Sequence, residues 1–130
     1  MGKEILLDSH IEAGKELLRA LDEKAFNITT AMWFFYPDAE KWKLLLYSPE
    51  FEKEKNPTLL YSRISKVITE LGDKTSAISL ESVKLVLRND PLLKMFKSII
   101  HAKGISTIRM QSNYFNGIYV EDALIYRNEP

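Results

Sequence analysis

Ile28-Thr-Thr-Ala-Met-Trp-Phe-Phe-Tyr36, then Pro37-Asp-Ala-Glu40, then Lys41-Trp-Lys-Leu-Leu-Leu-Tyr47, is the stretch that decides the fold, and it holds both tryptophans of the chain. It reads as two strands joined by a short polar turn. So much aromatic and aliphatic surface is too costly to leave in water, so this hairpin is expected in the middle of a folded sheet. In its first strand Ile28, Met32, Phe34 and Tyr36 are expected on one face, and Ala31, Trp33 and Phe35 on the other. Both faces are apolar, which predicts cover on both sides. The second strand is lopsided. Trp42, Leu44 and Leu46 share an apolar face, while Lys41 and Lys43 carry the other face toward solvent at one end.

Working outward, Ser9-His-Ile-Glu12 fits a capping box and opens a helix over about residues 9–23, with Ile11, Leu17, Leu18 and Leu21 on one stripe. Asn56-Pro57 starts a second helix, striped by Leu60, Ile64, Val67, Ile68 and Leu71 and stopped at Gly72. Residues 76–88 are ambiguous, alternating as in a strand and also fitting a helical stripe, and 82–88 are read as strand. Their β-branched members, and the Asp90-Pro91 helix start that follows at once, favour strand. The third helix runs from Asp90-Pro91 toward Gly104. A second hairpin closes the chain: residues 105–111 against 118–127 across the loop 112–117, where Asn116-Gly117 is a turn signal.

The expected fold is therefore α+β, a single domain over residues 1–130. It has about five strands in a mostly antiparallel sheet, two hairpins plus a joining strand, with three helices packed on it in the order α-β-β-α-β-α-β-β. Its 130 residues suffice for one hydrophobic core without a metal or disulfide staple.

Composition narrows the function classes. Lysine plus arginine total 18 and aspartate plus glutamate total 18. A domain gripping nucleic acid through its phosphates is expected to be basic, and this one is balanced overall, although a local basic patch stays open. The absence of cysteine removes disulfides, thiolate ligands and a cysteine nucleophile. Apolar runs are far shorter than a membrane span, and charge interrupts the N-terminal Met1-Gly-Lys-Glu-Ile-Leu-Leu-Asp8, so a soluble cytoplasmic protein without a secretory signal is expected.

The search for chemistry yields little. His10 and His101 are the only histidines, lie far apart, and read as capping or solvated side chains. No nucleophile elbow and no phosphate-cradling glycine loop is present. Pro37-Asp38 and Glu40-Lys41 resemble pieces of the restriction-type nuclease elements, but both fall within one turn and the spacing is Glu-Lys, not Glu-x-Lys. Glu121 and Asp122 are adjacent in the last strand and point to opposite faces. The inward one is expected to form a structural ion pair with Arg109 across the hairpin.

The loop aromatics remain. Asn113, Tyr114, Phe115 and Asn116 at the second hairpin, with Arg109 and Arg127 near in sequence, form a candidate binding surface. The plainer alternative is that Tyr114 and Phe115 fold back over the sheet edge. The residues assign no catalytic group, metal or cofactor. The leading reading is a non-enzymatic binding or accessory module that contacts a protein partner or a second copy of itself. Its rivals are a small metal-dependent hydrolase or nuclease built on Asp38, Glu40, Glu121 and Asp122, and a weak single-stranded nucleic-acid binder.

Overall fold

A computed structural model describes residues 4–129. Helix α1 (Asp8–Glu23) leads into the central hairpin, β1 (Thr30–Tyr36) and β2 (Lys41–Tyr47). Helix α2 (Pro57–Leu71) returns the chain to β3 (Val83–Leu85). Helix α3 (Pro91–Ile99) then precedes the last hairpin, β4 (Ile108–Phe115) and β5 (Ile118–Asn128). The strands lie in the order β3-β2-β1-β5-β4. Only β2 and β3 pair in parallel, and α2 supplies the crossover this requires.

The central position of β1 follows from its residues. Trp33 faces Leu44 on β2 and Leu124 on β5. On one side of the sheet Ala31, Trp33, Phe35, Trp42, Leu44 and Leu46 pack with Leu17 and Leu21 of α1 and Ile64 and Val67 of α2. On the other side Met32, Phe34, Leu45, Ala123 and Ile125 pack with Leu92, Met95 and Phe96 of α3. Both faces of β1 are thus covered, as its unbroken apolar run requires. Ile28 departs from the expected alternation. It precedes the strand, follows Asn27 at φ 58°, and joins the α1–α2 side with Trp33.

Local signals set most helix starts. Asn56 Oδ1 accepts the Thr58 amide at 3.0 Å and Asp90 Oδ1 the Leu92 amide at 2.9 Å, each before a proline in the first turn. Gly72 closes α2 at φ 56°. The expected cap of α1 is corrected: the helix begins at Asp8, and the Leu7 amide donates to His10 Nδ1 at 2.9 Å, so His10 performs the reach-back assigned to Glu12.

Several boundaries differ from expectation, among them the start of β4, at Ile108 and not residue 105. Strand β3 spans three residues, not seven: the Val86 amide still donates to the Leu46 carbonyl of β2 at 3.0 Å, beyond which the chain leaves the sheet, and the Leu85 amide is taken by the Tyr61 hydroxyl of α2 at 3.0 Å. Helix α3 ends at Ile99, well before Gly104. Buried Asn128 of β5 donates from Nδ2 to the carbonyls of Phe96 and Ile100, both at 2.9 Å, and so terminates the helix from another element. His101 consequently lies beyond the helix. The second hairpin has no six-residue loop: β4 and β5 continue to Phe115 and Ile118, joined by Asn116 (φ 48°) and Gly117 (φ 82°). Positive φ at both residues is the two-residue turn whose twist suits antiparallel strands.

Among the described residues no helix is long and apolar enough to cross a membrane. The reading of the extreme N-terminus rests partly on residues 1–3, which lie outside the described residues.

Candidate functional site

The six candidate residues do not form one surface. Asn113, Tyr114, Phe115 and Asn116 sit together at the tip of the β4–β5 hairpin. Tyr114 is 74% exposed and its ring lies 4.8 Å, centroid to centroid, from that of Tyr119, itself 37% exposed. Phe115 turns the other way and packs at the margin of the α3 side with Ile118 and Val120. The two readings of this pair are therefore divided between its members: Tyr114 is presented to solvent, and Phe115 folds back.

Arg109 stands on β4 opposite Leu124, five positions and about 17 Å of strand away from the Tyr114–Tyr119 pair. Its Nε and Nη2 donate to the two carboxylate oxygens of Asp122 at 2.6 and 2.8 Å, and its guanidinium lies 5.6 Å from the centre of the Trp42 ring. Gln111 adds a third donor to Asp122 at 3.3 Å. Burial pushes the Asp122 carboxyl up, but the Arg109 and Gln111 hydrogen bonds outweigh it and hold the group below its ordinary range. The expected structural ion pair is present, and its aspartate is the inward member of the Glu121–Asp122 doublet.

Arg127 is corrected outright. It is buried at the far end of β5, where Nη1 and Nη2 donate to Asp22 of α1, both at 2.8 Å, and Nε donates to the Gly104 carbonyl at 2.7 Å. It ties α1 and the segment after α3 to the sheet, and offers no cation to the hairpin tip.

The carboxylates that a metal-dependent reading needs are not assembled. Asp38 and Glu40 are exposed in the β1–β2 turn, and Asp122 is occupied by Arg109. No group of three or more histidines, aspartates or glutamates among the described residues could hold a metal ion.

Two features of β4 bear on binding. It is an edge strand, exposed at Arg109 and without a break from Gln111 through Tyr114. Its midpoint is bent by Ser112 at φ 51°, which separates the regular part, Ile108–Gln111, from the tip. The opposite edge is managed differently: β3 is short, and Tyr61 covers its amide at Leu85. Sequence reasoning had one usable signal for this contrast, the two-residue Asn-Gly turn, which implies that both strands run up to it.

A hollow passed over by the sequence reading lies at the other end of the sheet, beneath α3. Thr29, Tyr47 and Leu93 contribute to its wall, and Arg88, Lys94 and Lys97 stand around its mouth. Lys94 and Lys97 are one turn apart on α3, a spacing visible in the sequence. That Arg88 and Tyr47 join them follows only from the fold.

Comparison with protein-family models, with curated proteins and with solved structures finds no match to this chain.

Proposed function

We propose that this protein is a non-enzymatic binding module that works through the outer edge and tip of its C-terminal hairpin, and that the occupant of this surface is a second copy of the chain. The observation that carries the reading is the exposure of Tyr114, its ring tilted against that of Tyr119, at the end of an edge strand. A ring left in water at a hairpin tip is a ready contact, since its area is apolar and little side-chain freedom is lost on docking.

Self-association is favoured over an unrelated partner by the character of the edge. The regular half of β4 presents alternating backbone donors and acceptors, so two copies related by a two-fold axis complement each other when they pair antiparallel. Equal numbers of acidic and basic residues keep the copies from repelling. The engagement of Asp122 by Arg109 supports a binding role over a catalytic one for the face behind this edge. A cytoplasmic setting, expected from the sequence, is part of the same proposal and is checked by cell fractionation.

Analytical ultracentrifugation over a concentration series tests the reading. The wild-type chain is expected to rise toward twice the monomer mass. A Tyr114→Ser/Tyr119→Ser variant, and a Gln111→Pro variant that removes an edge amide, are expected to stay monomeric. A wild-type chain that remains monomeric throughout, or variants that associate as it does, overturns the proposal.

A further inference from the structure

We propose that the hollow beneath α3 binds a small amphipathic anion, with one carboxylate, sulfonate or phosphate head held between Arg88, Lys94 and Lys97 and an aromatic or short aliphatic body lying against Leu93 and the Tyr47 ring. The cavity has a volume of about 320 Å³, at the small end of the range typical of small-molecule sites, and its wall is mostly apolar.

Charge is the deciding observation. The chain as a whole is balanced, yet three cations from two separate segments stand around this one mouth, and no acid lines it. Among the described residues none of the three forms an ion pair with an acid. A second basic hollow, beside the β1–β2 turn, shows what such lysines do when they serve the fold. There Lys43 donates to the Glu81 carbonyl at 2.6 Å, Lys84 to the Tyr36 hydroxyl at 3.2 Å, and Lys41 lies 3.9 Å from a Glu4 carboxylate oxygen. Every lysine of that hollow has a partner within the chain. Among the described residues those beneath α3 have none, and like charges that line one apolar space favour an anion between them.

The floor is prepared as well. Asn128 and Thr30, which line it, are already satisfied: Thr30 Oγ1 donates to Asn128 Oδ1 at 2.8 Å, and the Asn128 amide holds the end of α3. The Tyr47 hydroxyl, by contrast, bonds no protein group among the described residues. Burial, and then the charge of Glu52, push its phenol above the ordinary value, so it stays a neutral donor at physiological pH. Glu52 accepts from the Arg88 amide at 2.8 Å and is not part of the lining.

The test is a fluorescence titration with anilinonaphthalene sulfonate, an anion with a fused aromatic body. The folded chain is expected to bind one equivalent saturably, and octanoate to displace it. A Lys94→Glu/Lys97→Glu variant is expected to bind roughly tenfold more weakly, while Lys66→Glu/Lys74→Glu, the same charge change on α2 and the turn after it, leaves affinity unchanged. All four lysines are exposed, and near-UV circular dichroism confirms that both variants are folded. Three results would each overturn the proposal. They are no saturable binding by the wild-type chain, equal weakening in both charge-reversed variants, and displacement by octanol or inorganic phosphate as effective as by octanoate. The assignment is independent of the hairpin surface, so a monomeric chain that binds the probe, or a dimer that does not, separates the two readings.

Discussion

Gly14 and Tyr126 meet where α1 crosses β5, and their contact explains why a glycine sits inside a helix at a cost of about 1 kcal/mol relative to alanine. A Cβ at Gly14 would stand 2.8 Å from Tyr126 Cζ and closer still to the hydroxyl oxygen. The ring cannot retreat. Its hydroxyl accepts from Trp33 Nε1 at 2.9 Å and donates to the Ile11 carbonyl at 2.6 Å, and the residue is fully buried. Gly14→Ala is expected to destabilise the fold by about 2–3 kcal/mol through overpacking. Tyr126→Phe is expected to cost about 1–3 kcal/mol by leaving the indole N–H without an acceptor. Because both act at one contact, the double variant should lose less than the sum of the two, a coupling readable from urea unfolding of all three proteins.

The same hydroxyl sets a pH dependence. Burial pushes the Tyr126 phenol well above its ordinary value, against the weaker pull of the Trp33 hydrogen bond. The folded state therefore keeps this proton at pH values where the unfolded chain, with a phenol pKa of about 10, has lost it. Stability from this group is complete below about pH 10 and falls as pH rises beyond it, by up to about 1.4 kcal/mol per pH unit. Tyr36 and Tyr47 are raised in the same direction, chiefly by burial, so Tyr126→Phe should shallow the alkaline decline without abolishing it. Urea midpoints measured across the alkaline range check the slope.

Among the elements, α3 and the last hairpin show how far local signals reach. The starts of α2 and α3 were legible because Asn56-Pro57 and Asp90-Pro91 carry their cap and first turn within a few residues. The end of α3 was not, since Gly104 looked like the stop while the actual terminator, Asn128, lies on another strand. Asn128→Ala should strand the carbonyls of Phe96 and Ile100 and the Thr30 hydroxyl together, at a cost of about 2–4 kcal/mol. Hydrogen exchange in α3 should rise beyond that in α2. For the hairpin, Asn116-Gly117 was read correctly as a turn, but the exposed residues before it hid the continuation of β4. Open space surrounds a Cβ at Gly117, so Gly117→Ala isolates the backbone term of its φ of 82°. A loss of about 1 kcal/mol or somewhat more is expected in thermal unfolding.

At the scale of the whole molecule, one sheet divides two apolar layers, and both tryptophans fall in the same one. Trp33 is 2% exposed and Trp42 5% exposed. Acrylamide is expected to quench the native fluorescence weakly, and quenching should rise in one step that coincides with the loss of helical circular dichroism. Two separated transitions would mean that the α3 layer unfolds apart from the α1–α2 layer. Alternation in the sequence foretold that β1 needed cover on both sides. It could not assign the arginines, because Arg109 and Arg127 lie one on each strand of the same hairpin and look alike as text. Their roles depend on which helix passes nearby: Asp22 of α1 reaches Arg127, whereas Arg109 finds Asp122 beside it on β5.

The strand order carries a further consequence for synthesis. Strand β1 is held between β2, its immediate neighbour in the chain, and β5, which is synthesised after the other elements of this sheet. The nascent chain therefore carries the open flank of its most apolar strand until β5 emerges. Until then that flank lacks its native neighbour, and residues 118–128 complete the core around it when they arrive.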